Sequence, residues 1–292
     1  MKLVEKISTA QALVSLAKKE NKKIALVPTM GHLHEGHLAL IELAKQYADY
    51  LVVSIFVNPL QFNNPDDLVN YPRTLQQDCE KIANGPGADL VFAPTVFEMY
   101  PHDSLDSQTF IEVPKLSYVL EGANRPGHFR GVTTVVGKLF NIFQPDIACF
   151  GEKDFQQLAI IRKMVRDLSF QIEIKSLPTI RHEDGLALSS RNVLLSNEER
   201  AQAPFLAKIM GMIANEIKEG ELFIPPILDK AKELLLQQGF IPDELFVCDA
   251  DTLGDLTVHS KNAVILMAAV LGKARLIDNI IVALPSLSLD KE

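Results

Sequence analysis

The chain has 292 residues, of which 47% are hydrophobic, so it can bury a large core, and its length suggests about two domains. A net charge of −8 argues against a broad nucleic-acid-binding face and leaves any anionic ligand to local Lys, Arg, His and backbone dipoles. The longest apolar run near the end is too short to span a bilayer, the N-terminus lacks a signal-peptide core, and three scattered cysteines favour a reducing compartment, so we expect a cytoplasmic protein.

Strand-like and helix-like segments alternate through the first part of the chain. The predicted strands cover residues 23–29, 51–57, 89–93, 146–150 and 171–176. Apolar residues at helical spacing predict helices from the first strand to about residue 48, around 74–83, around 132–143, and over 155–168. This alternation predicts βαβ organisation, with a parallel sheet covered by helices on both faces. We therefore expect a Rossmann-like, doubly wound α/β domain over residues 1–181.

The composition changes after Arg181, where a polar segment leads into a serine-rich loop that ends at Asn192. We place the domain boundary between residues 181 and 182. Beyond it, the pattern predicts helices over 197–219 and 226–238 and strands over 245–249, 263–271 and 274–280. The last two strands are joined at Gly272-Lys273 in the manner of a hairpin. We expect a smaller C-terminal α+β domain over residues 182–292 that acts as a lid.

The turn between the first predicted strand and helix carries the most informative stretch, VPTMGHLHEGH at residues 27–37. Unpaired backbone N–H groups at a helix start attract phosphate, and Gly31 and Gly36 allow close approach. His34 and His37 lie three residues apart, which in a first helical turn places both imidazoles on one face. They would then donate to a phosphate oxygen as charge develops on it.

Other interpretations of these histidines stay open. A histidine pair near a helix start can simply cap the helix at the surface. His32, His34 and His37 would alternatively bind zinc, although Cys or carboxylate ligands do not cluster nearby and the metalloprotease spacing is absent. A non-enzymatic metal-binding or regulatory protein would explain the histidines but not the motifs further along the chain.

Polar and basic motifs follow the ends of several predicted strands. Met30 and Gly31 follow the first strand, and Asn58 and Gln61 follow the second. Residues 151–154 follow the strand at 146–150, and residues 178–180 follow the next one. Because doubly wound sheets bind ligands outside the carboxyl ends of their strands, we expect these motifs to converge on one edge.

Five further motifs occur in order: FVNPLQF at 56–62, YPRT at 71–74, RPGHF at 125–129, GEKDFQQ at 151–157 and LSSRN at 188–192. With the histidine turn, they resemble the pantothenate synthetase (pantoate–β-alanine ligase) family. The turn itself resembles the histidine-glycine-histidine signature of the nucleotidyltransferase superfamily. The resemblance runs from about Thr9 to Asn279, and its motifs concentrate before Asn192. It departs at His32, where the family often has a small residue.

The resemblance implies ATP-dependent ligation of (R)-pantoate and β-alanine through a pantoyl-adenylate, with release of AMP and diphosphate, in pantothenate and coenzyme A biosynthesis. ATP is then a co-substrate, and Mg²⁺ bound to its phosphates is the expected cofactor. We expect a homodimer with small-molecule substrates and without a nucleic-acid or membrane partner. The protein ligands of the metal stay unassigned.

The family motifs also imply roles for individual residues. The expected catalytic residues are His37, at the position of the family's proton donor, His34 and Lys153. The expected ATP-binding residues are Met30, Gly31, His32, Leu33, His34, Glu35, Gly36, His37, Gly151, Glu152, Lys153, Asp154, Ile180, Leu188, Ser189, Ser190 and Arg191. Gln61 and Gln157 match pantoate contacts, while Asn58, Tyr71 and Arg125 match positions around the substrates or their gate. The loop at Ser189 to Arg191 resembles a mobile segment that closes over the triphosphate and excludes water.

A different enzyme of the same superfamily, such as an aminoacyl-tRNA synthetase, would share the histidine turn. Such an enzyme is expected to carry a basic or anticodon-reading module. The sequence shows no such module.

Overall fold

The computed structural model describes residues 1–101, 109–220 and 223–285. Contacts divide the chain into two compact units, Met1–Pro178 and Thr179–Glu292. Arg181, the last residue before the predicted boundary, contacts the second unit, where its guanidinium donates to both carboxylate oxygens of Asp278 at 2.5 and 2.8 Å. Asp278 is buried on a strand, and a buried carboxylate needs such a partner.

The first unit is built on a six-stranded parallel sheet. In chain order its strands are β1 (Lys2–Val4), β2 (Ile24–Thr29), β3 (Tyr50–Ile55), β4 (Leu90–Phe92), β5 (Ile147–Gly151) and β6 (Glu173–Leu177). Across the sheet the order is β1-β4-β3-β2-β5-β6, and every neighbouring pair is parallel. Residues 24–27 of β2 are fully buried, as expected for a strand with helices on both faces.

Helices cover this sheet on both sides. The helices described in the first unit are α1 (Ile7–Lys19), α2 (Glu35–Lys45), α3 (Pro65–Asn70), α4 (Leu75–Asn84), α5 (Val96–Met99), α6 (Glu121–Asn124), α7 (His128–Phe143) and α8 (Phe155–Asp167). Ile24 and Leu26 of β2 join an apolar cluster with α1, α7 and α8. Ala25 and Val27 join a second cluster with α2 and α4. Because successive strand residues point to opposite faces, the two clusters lie on opposite sides of the sheet, which confirms the predicted Rossmann-like fold.

The strand order changes direction at β2. From β2 the sheet continues through β3 and β4 on one side and through β5 and β6 on the other. Since all these strands are parallel, β2 ends at Thr29 and β5 ends at Gly151 on the same edge. Open α/β sheets bind ligands in the crevice at such a reversal, so the ends of β2 and β5 mark the expected ligand edge of the first unit.

The second unit combines helices with a three-stranded antiparallel sheet. Its elements are α9 (Asn197–Gln202), α10 (Phe205–Lys218), α11 (Ile224–Gln237), β7 (Ile241–Asp249), β8 (Asn262–Leu271) and β9 (Ala274–Ala283). The sheet order is β7-β8-β9, with β8 and β9 joined at Gly272 as predicted. Ile213 of α10 and Leu235 of α11 pack in one core cluster with Ile265 and Met267 of β8. The predicted smaller C-terminal α+β domain is confirmed.

Some element boundaries differ from the prediction. The single helix predicted over residues 197–219 is wrong, because Pro204 separates α9 from α10. Strand β7 begins at Ile241 rather than 245, since an edge strand tolerates Pro242 next to a β-bulge. Helix α7 begins at His128 rather than near 132, because Gly127 adopts the left-handed conformation at its N-cap. Within the described ranges, no helix is long and apolar enough to cross a membrane.

Candidate active site

The turn after β2 is held from behind by a buried carboxylate. Gly31 and His32 both have positive φ, at 81° and 51°. Asp78 of α4 is fully buried and accepts the N–H groups of His32 at 2.9 Å and Leu33 at 2.8 Å, together with the Thr74 hydroxyl at 3.1 Å. A Cβ atom at Gly31 would approach Asp78 Oδ2 to 3.0 Å, so glycine suits both the conformation and the close packing.

Two histidines of the turn cap helix α2 reciprocally. His34 is the N-cap residue, and its Nδ1 accepts the N–H of Gly36 at 3.2 Å. The N–H of His34 in turn donates to Nδ1 of His37 at 3.3 Å, with the ring centroids 4.1 Å apart. Because each Nδ1 is an acceptor, the neutral rings carry their protons on Nε2. The capping interpretation is therefore correct for Nδ1, and it leaves each ring an outer Nε2–H donor.

Most backbone N–H groups of this turn donate within the protein itself. These are the N–H groups of Gly31, His32, Leu33, His34 and Gly36, which donate to Thr29 Oγ1, to Asp78 and to the two imidazoles. The expectation that the backbone groups of the turn are unpaired is therefore wrong for these five, and phosphate binding at the turn stays a prediction. The turn also presents the Nε2–H donors of His34 and His37.

Both imidazoles are neutral at pH 7. Burial lowers the pKa of His34 to about 3 and the pKa of His37 to about 4, from a usual value of 6.5. Lys153 lowers the pKa of both rings further, whereas Asp154 raises it. Since Lys153 and Asp154 act on both histidines, the residues that follow β5 lie near those that follow β2.

A short 3-10 turn over Glu152–Asp154 joins β5 to α8. Glu152 Oε1 accepts the hydroxyl of Ser176 on β6 at 2.7 Å, and Ser176 Oγ accepts from Arg162 of α8 at 2.9 Å. These bonds tie the turn to the neighbouring strand and helix. Lys153 thus extends from an anchored turn, and its ammonium group is a compact cation on a flexible stem.

Asn58 and Gln61 follow β3 and lie next to the histidine turn. Gln61 ends a 3-10 turn over Pro59–Gln61, and its Nε2 donates to Met30 Sδ at 3.2 Å. Asn58 is buried, and its Nδ2 donates to Gln61 Oε1 at 3.0 Å. The structure therefore brings together the residues that follow β2 and β3, as the strand-end motifs predicted.

Arg125 and His128 lie against the backbone of Gln61. The Nδ1 of His128 donates to the Gln61 carbonyl oxygen at 2.7 Å, and its Nε2 lies 3.4 Å from Arg125 Nη1. Burial and the Arg125 charge lower the pKa of His128 to about 4, so the ring is neutral and its Nε2 accepts from Arg125. Arg125 also forms a 2.8 Å ion pair with Glu121. The guanidinium is thus held beside Gln61.

Tyr71 and Gln157 complete the predicted substrate residues of the first unit. The Tyr71 ring packs edge-on against Phe62, with the centroids 5.6 Å apart. Gln157 lies half-buried in the first turn of α8, close in sequence to Lys153. Its neighbour Gln156 is buried and donates to two carbonyl oxygens of residues 116–119 at 2.8 Å, which gives Gln156 a structural role.

The remaining predicted ATP residues lie in the second unit. The N–H of Leu188 donates to the Ile180 carbonyl oxygen at 2.9 Å, so these two residues are brought together. Ser189 Oγ accepts the N–H of Arg191 at 3.2 Å and caps a 3-10 turn over Ser190–Leu194. Arg191 is exposed. The assignment of these residues to ATP stays a prediction.

Asp78 and His128 have structural roles that the sequence motifs did not assign. For Asp78 a signal exists: it lies three residues after Leu75 and four before Ile82, on the apolar stripe of α4. An acid on an apolar stripe must find donors when it is buried. His128 stands inside the RPGHF motif, but its tautomer depends on the Gln61 carbonyl, a contact that spans 67 positions.

In the part of the chain that the structure describes, no group of three or more His, Cys, Asp or Glu side chains could hold a metal ion. This finding includes the three histidines of the turn, which were considered above as a zinc site.

Comparison with known proteins gives close matches over nearly the whole chain. A family model described as pantoate-beta-alanine ligase matches residues 2–281. The crystal structure of pantothenate synthetase from Thermus thermophilus is 42% identical, with 96% of this chain and 99% of that chain covered and a TM-score of 0.87. The crystal structure of pantoate-beta-alanine ligase from Francisella tularensis, complexed with beta-gamma ATP and beta-alanine, is 35% identical, with coverage of 96% and 97% and a TM-score of 0.80.

Proposed function

The chain belongs to the pantoate–β-alanine ligase family, and we propose that it works through a pantoyl-adenylate formed at the ends of β2 and β5. As a member of this family it is an ATP-dependent ligase that joins pantoate to β-alanine. The observation that carries the proposal is the gathering of two neutral imidazoles and the Lys153 cation at one edge of the sheet. Such groups can stabilise the negative charge that develops on the phosphates when diphosphate leaves.

In the first step, a carboxylate oxygen of (R)-pantoate attacks the α-phosphorus of ATP, and the bond from that phosphorus to diphosphate breaks. The reactants are both anions, so the protein must hold them together and stabilise the charge that moves onto the leaving group. Lys153 supplies a positive charge for the α-phosphate. His34 and His37 supply Nε2–H donors that their capping bonds hold in place.

His37 acts by hydrogen bonding in this scheme. Its pKa of about 4 makes the ring neutral in the free protein at pH 7. In the neutral ring, Nδ1 accepts the N–H of His34, so the proton is on Nε2. His37 can then donate a hydrogen bond through Nε2 without transferring its proton. This differs from the family-based expectation of a proton donor, and it assigns the ring the role of a preorganised donor.

In the second step, the amine of β-alanine attacks the acyl carbon, the acyl–oxygen bond breaks, AMP leaves, and the amine loses a proton. We assign substrate binding to the cluster beside Met30, with Gln61 and Asn58 at its centre. Gln157 and Tyr71 belong to the same assignment through the family motifs. The Arg125 guanidinium is suited to a substrate carboxylate, since it is charged and held beside Gln61.

ATP and Mg²⁺ complete the proposal. ATP binding is assigned to residues 30–37 and 151–154 of the first unit and, through the motifs, to Ile180 and residues 188–191. Mg²⁺ prefers phosphate oxygens with one or two carboxylates, and Asp154 is an exposed carboxylate near both histidines, so it would hold the ion. When bound, the ion neutralises charge on the leaving diphosphate.

We further propose that the protein is a cytoplasmic homodimer that binds neither nucleic acid nor membranes. Two-fold dimers are the commonest oligomers, and the net charge of −8 does not favour nucleic acid. Light scattering tests the oligomeric state, and a monomer at working concentrations would contradict it.

Isotope exchange tests the adenylate directly. With ATP and (R)-pantoate but without β-alanine, labelled diphosphate should enter ATP. Pantoate labelled with ¹⁸O in its carboxylate should also transfer one ¹⁸O to AMP when β-alanine is added. Exchange that requires β-alanine, or label that appears in inorganic phosphate, would contradict the adenylate. L-lactate is the control acid and should support neither reaction.

A further inference from the structure

Tyr100 belongs to a buried chain of hydrogen bonds that reaches the substrate cluster. The residue directly follows α5 and is 2% exposed. Its ring lies 6.0 Å from the Phe56 ring, and the Lys138 ammonium lies 5.5 Å from its centroid. The hydroxyl donates to Asn58 Oδ1 at 2.8 Å. Burial also raises the pKa of Tyr100, so the hydroxyl stays protonated and remains a donor.

Backbone groups identify which side of the Asn58 amide is the oxygen, and the Tyr100 hydroxyl makes the shorter of the two hydrogen bonds to that oxygen. The Gly131 carbonyl oxygen accepts from Nδ2 at 3.1 Å, and the Leu60 N–H donates to Oδ1 at 3.3 Å. A carbonyl can only accept and an N–H can only donate, so Oδ1 must face Tyr100 and Nδ2 must face Gln61. Gly131 permits this contact, since a Cβ atom there would lie 2.3 Å from the Leu60 carbonyl oxygen.

The orientation of Asn58 sets the orientation of Gln61. Because Asn58 Nδ2 donates to Gln61 Oε1, the Nε2 group of Gln61 must point away from Asn58. It donates to Met30 Sδ at 3.2 Å. A thioether sulfur is a weak acceptor, so a substrate oxygen would be a better partner for this N–H. In this orientation Gln61 presents an N–H donor, and the substrate atom that it binds must be an acceptor.

We propose that Tyr100 is a positioning residue for pantoate binding, which holds the Gln61 amide through Asn58 with its N–H groups toward a pantoate oxygen. The inference rests on the proposed function, which assigns Gln61 to pantoate. Without the Tyr100 hydroxyl, Asn58 Oδ1 keeps only the 3.3 Å bond from Leu60. The Gln61 amide then loses part of its fixed orientation, and its oxygen in the reversed orientation repels a carboxylate.

Steady-state kinetics of Tyr100→Phe test the proposal. The substitution removes one hydroxyl and keeps the ring. We expect the KM for (R)-pantoate to rise by about 3- to 10-fold, the range for loss of one hydrogen bond. The kcat should stay within about twofold, and the KM for ATP should not change, because the hydroxyl acts only through Gln61. Tyr118→Phe is the matched control, since Tyr118 is exposed, and it should leave every constant unchanged.

A double-mutant cycle distinguishes positioning from a merely structural role. If Tyr100 acts through Gln61, Tyr100→Phe should add nothing to the KM of Gln61→Ala. A full additional effect in that background, or an unchanged KM for pantoate in Tyr100→Phe alone, would overturn the inference. The proposed function has a different test: it is wrong if the unsubstituted protein forms no product from pantoate, β-alanine and ATP. In that case the inference about Tyr100 is wrong as well. Urea midpoints show whether each variant is folded.

Discussion

Substitutions of His34 separate the two hydrogen-bonding roles of its imidazole. The ring accepts the Gly36 N–H through Nδ1 and offers an outer donor through Nε2. Asparagine keeps an acceptor near the Nδ1 position and is a favoured N-cap residue, but it has no group at the Nε2 position. Glutamine reaches the Nε2 position with an N–H group but loses the local acceptor. Alanine lacks both groups.

The two roles have different expected magnitudes. Loss of one preorganised donor to a developing charge slows a reaction by about 10²- to 10³-fold. Loss of an N-cap costs about 1 kcal/mol, which lowers the melting temperature by roughly 2–4 °C in a chain of this size. His34→Asn should therefore stay as stable as the unsubstituted protein and adenylate about 10²- to 10³-fold more slowly. His34→Gln should be about 1 kcal/mol less stable and faster than His34→Asn. His34→Ala should lose both properties.

Pantoate-dependent diphosphate exchange and thermal unfolding, measured on the same preparations, provide the assay. His259→Asn is the control, because His259 is exposed in the second unit, and it should change neither rate nor stability. Rates that simply follow stability across the three variants would refute the division of roles. Exchange by His34→Asn within threefold of the unsubstituted protein would refute the donor role itself.

Other substitutions test the remaining features. Lys153→Met should slow adenylation by about 10²-fold or more. Lys163→Met is the control, because half-buried Lys163 pairs with Asp167 on the same helix, and it should not slow adenylation. A normal rate for Lys153→Met would contradict its assignment. Asp78→Asn should lower the free energy of unfolding by about 1–3 kcal/mol, because the amide cannot accept all the donors that Asp78 satisfies, and exposed Asp66→Asn should be neutral. Urea unfolding should also show stability falling as the pH drops from 6.5 toward 4: unfolded histidines bind protons near 6.5, whereas folded His34 and His37 bind them only near 3 and 4. Replacement of both rings by asparagine should reduce this dependence to the part that His128 contributes, and an unchanged slope would contradict the shifted pKa values of His34 and His37.

The sheet could be predicted because its strands are buried on both faces. A strand such as β2 is apolar along most of its length, and the helix after it repeats apolar residues at helical spacing. Short or atypical elements give weaker signals. Strand β1 has three residues and α1 has no side-chain cap, so neither was predicted, and Pro242 obscured the start of an edge strand.

The strand-end motifs predicted which segments lie together better than they predicted the hydrogen bonds between them. The motifs correctly placed Gln61 next to Met30 and Lys153 near the histidines. The sequence could not show that Asp78, 46 positions after His32, takes the backbone donors of the turn. Nor could it show the order Tyr100, Asn58, Gln61, because each amide orientation depends on backbone groups of distant segments. Local pattern predicts elements, whereas hydrogen-bond direction depends on tertiary packing.

A crystal structure with a non-hydrolysable ATP analogue and (R)-pantoate tests the central claim most directly. We expect Nε2 of both His34 and His37 within hydrogen-bond distance of phosphate oxygens, while each Nδ1 keeps its backbone N–H partner. We also expect the Lys153 ammonium at the α-phosphate and a pantoate carboxylate oxygen in line with the leaving diphosphate. Phosphates bound to the backbone of residues 31–36, with the imidazoles turned away, would contradict the account.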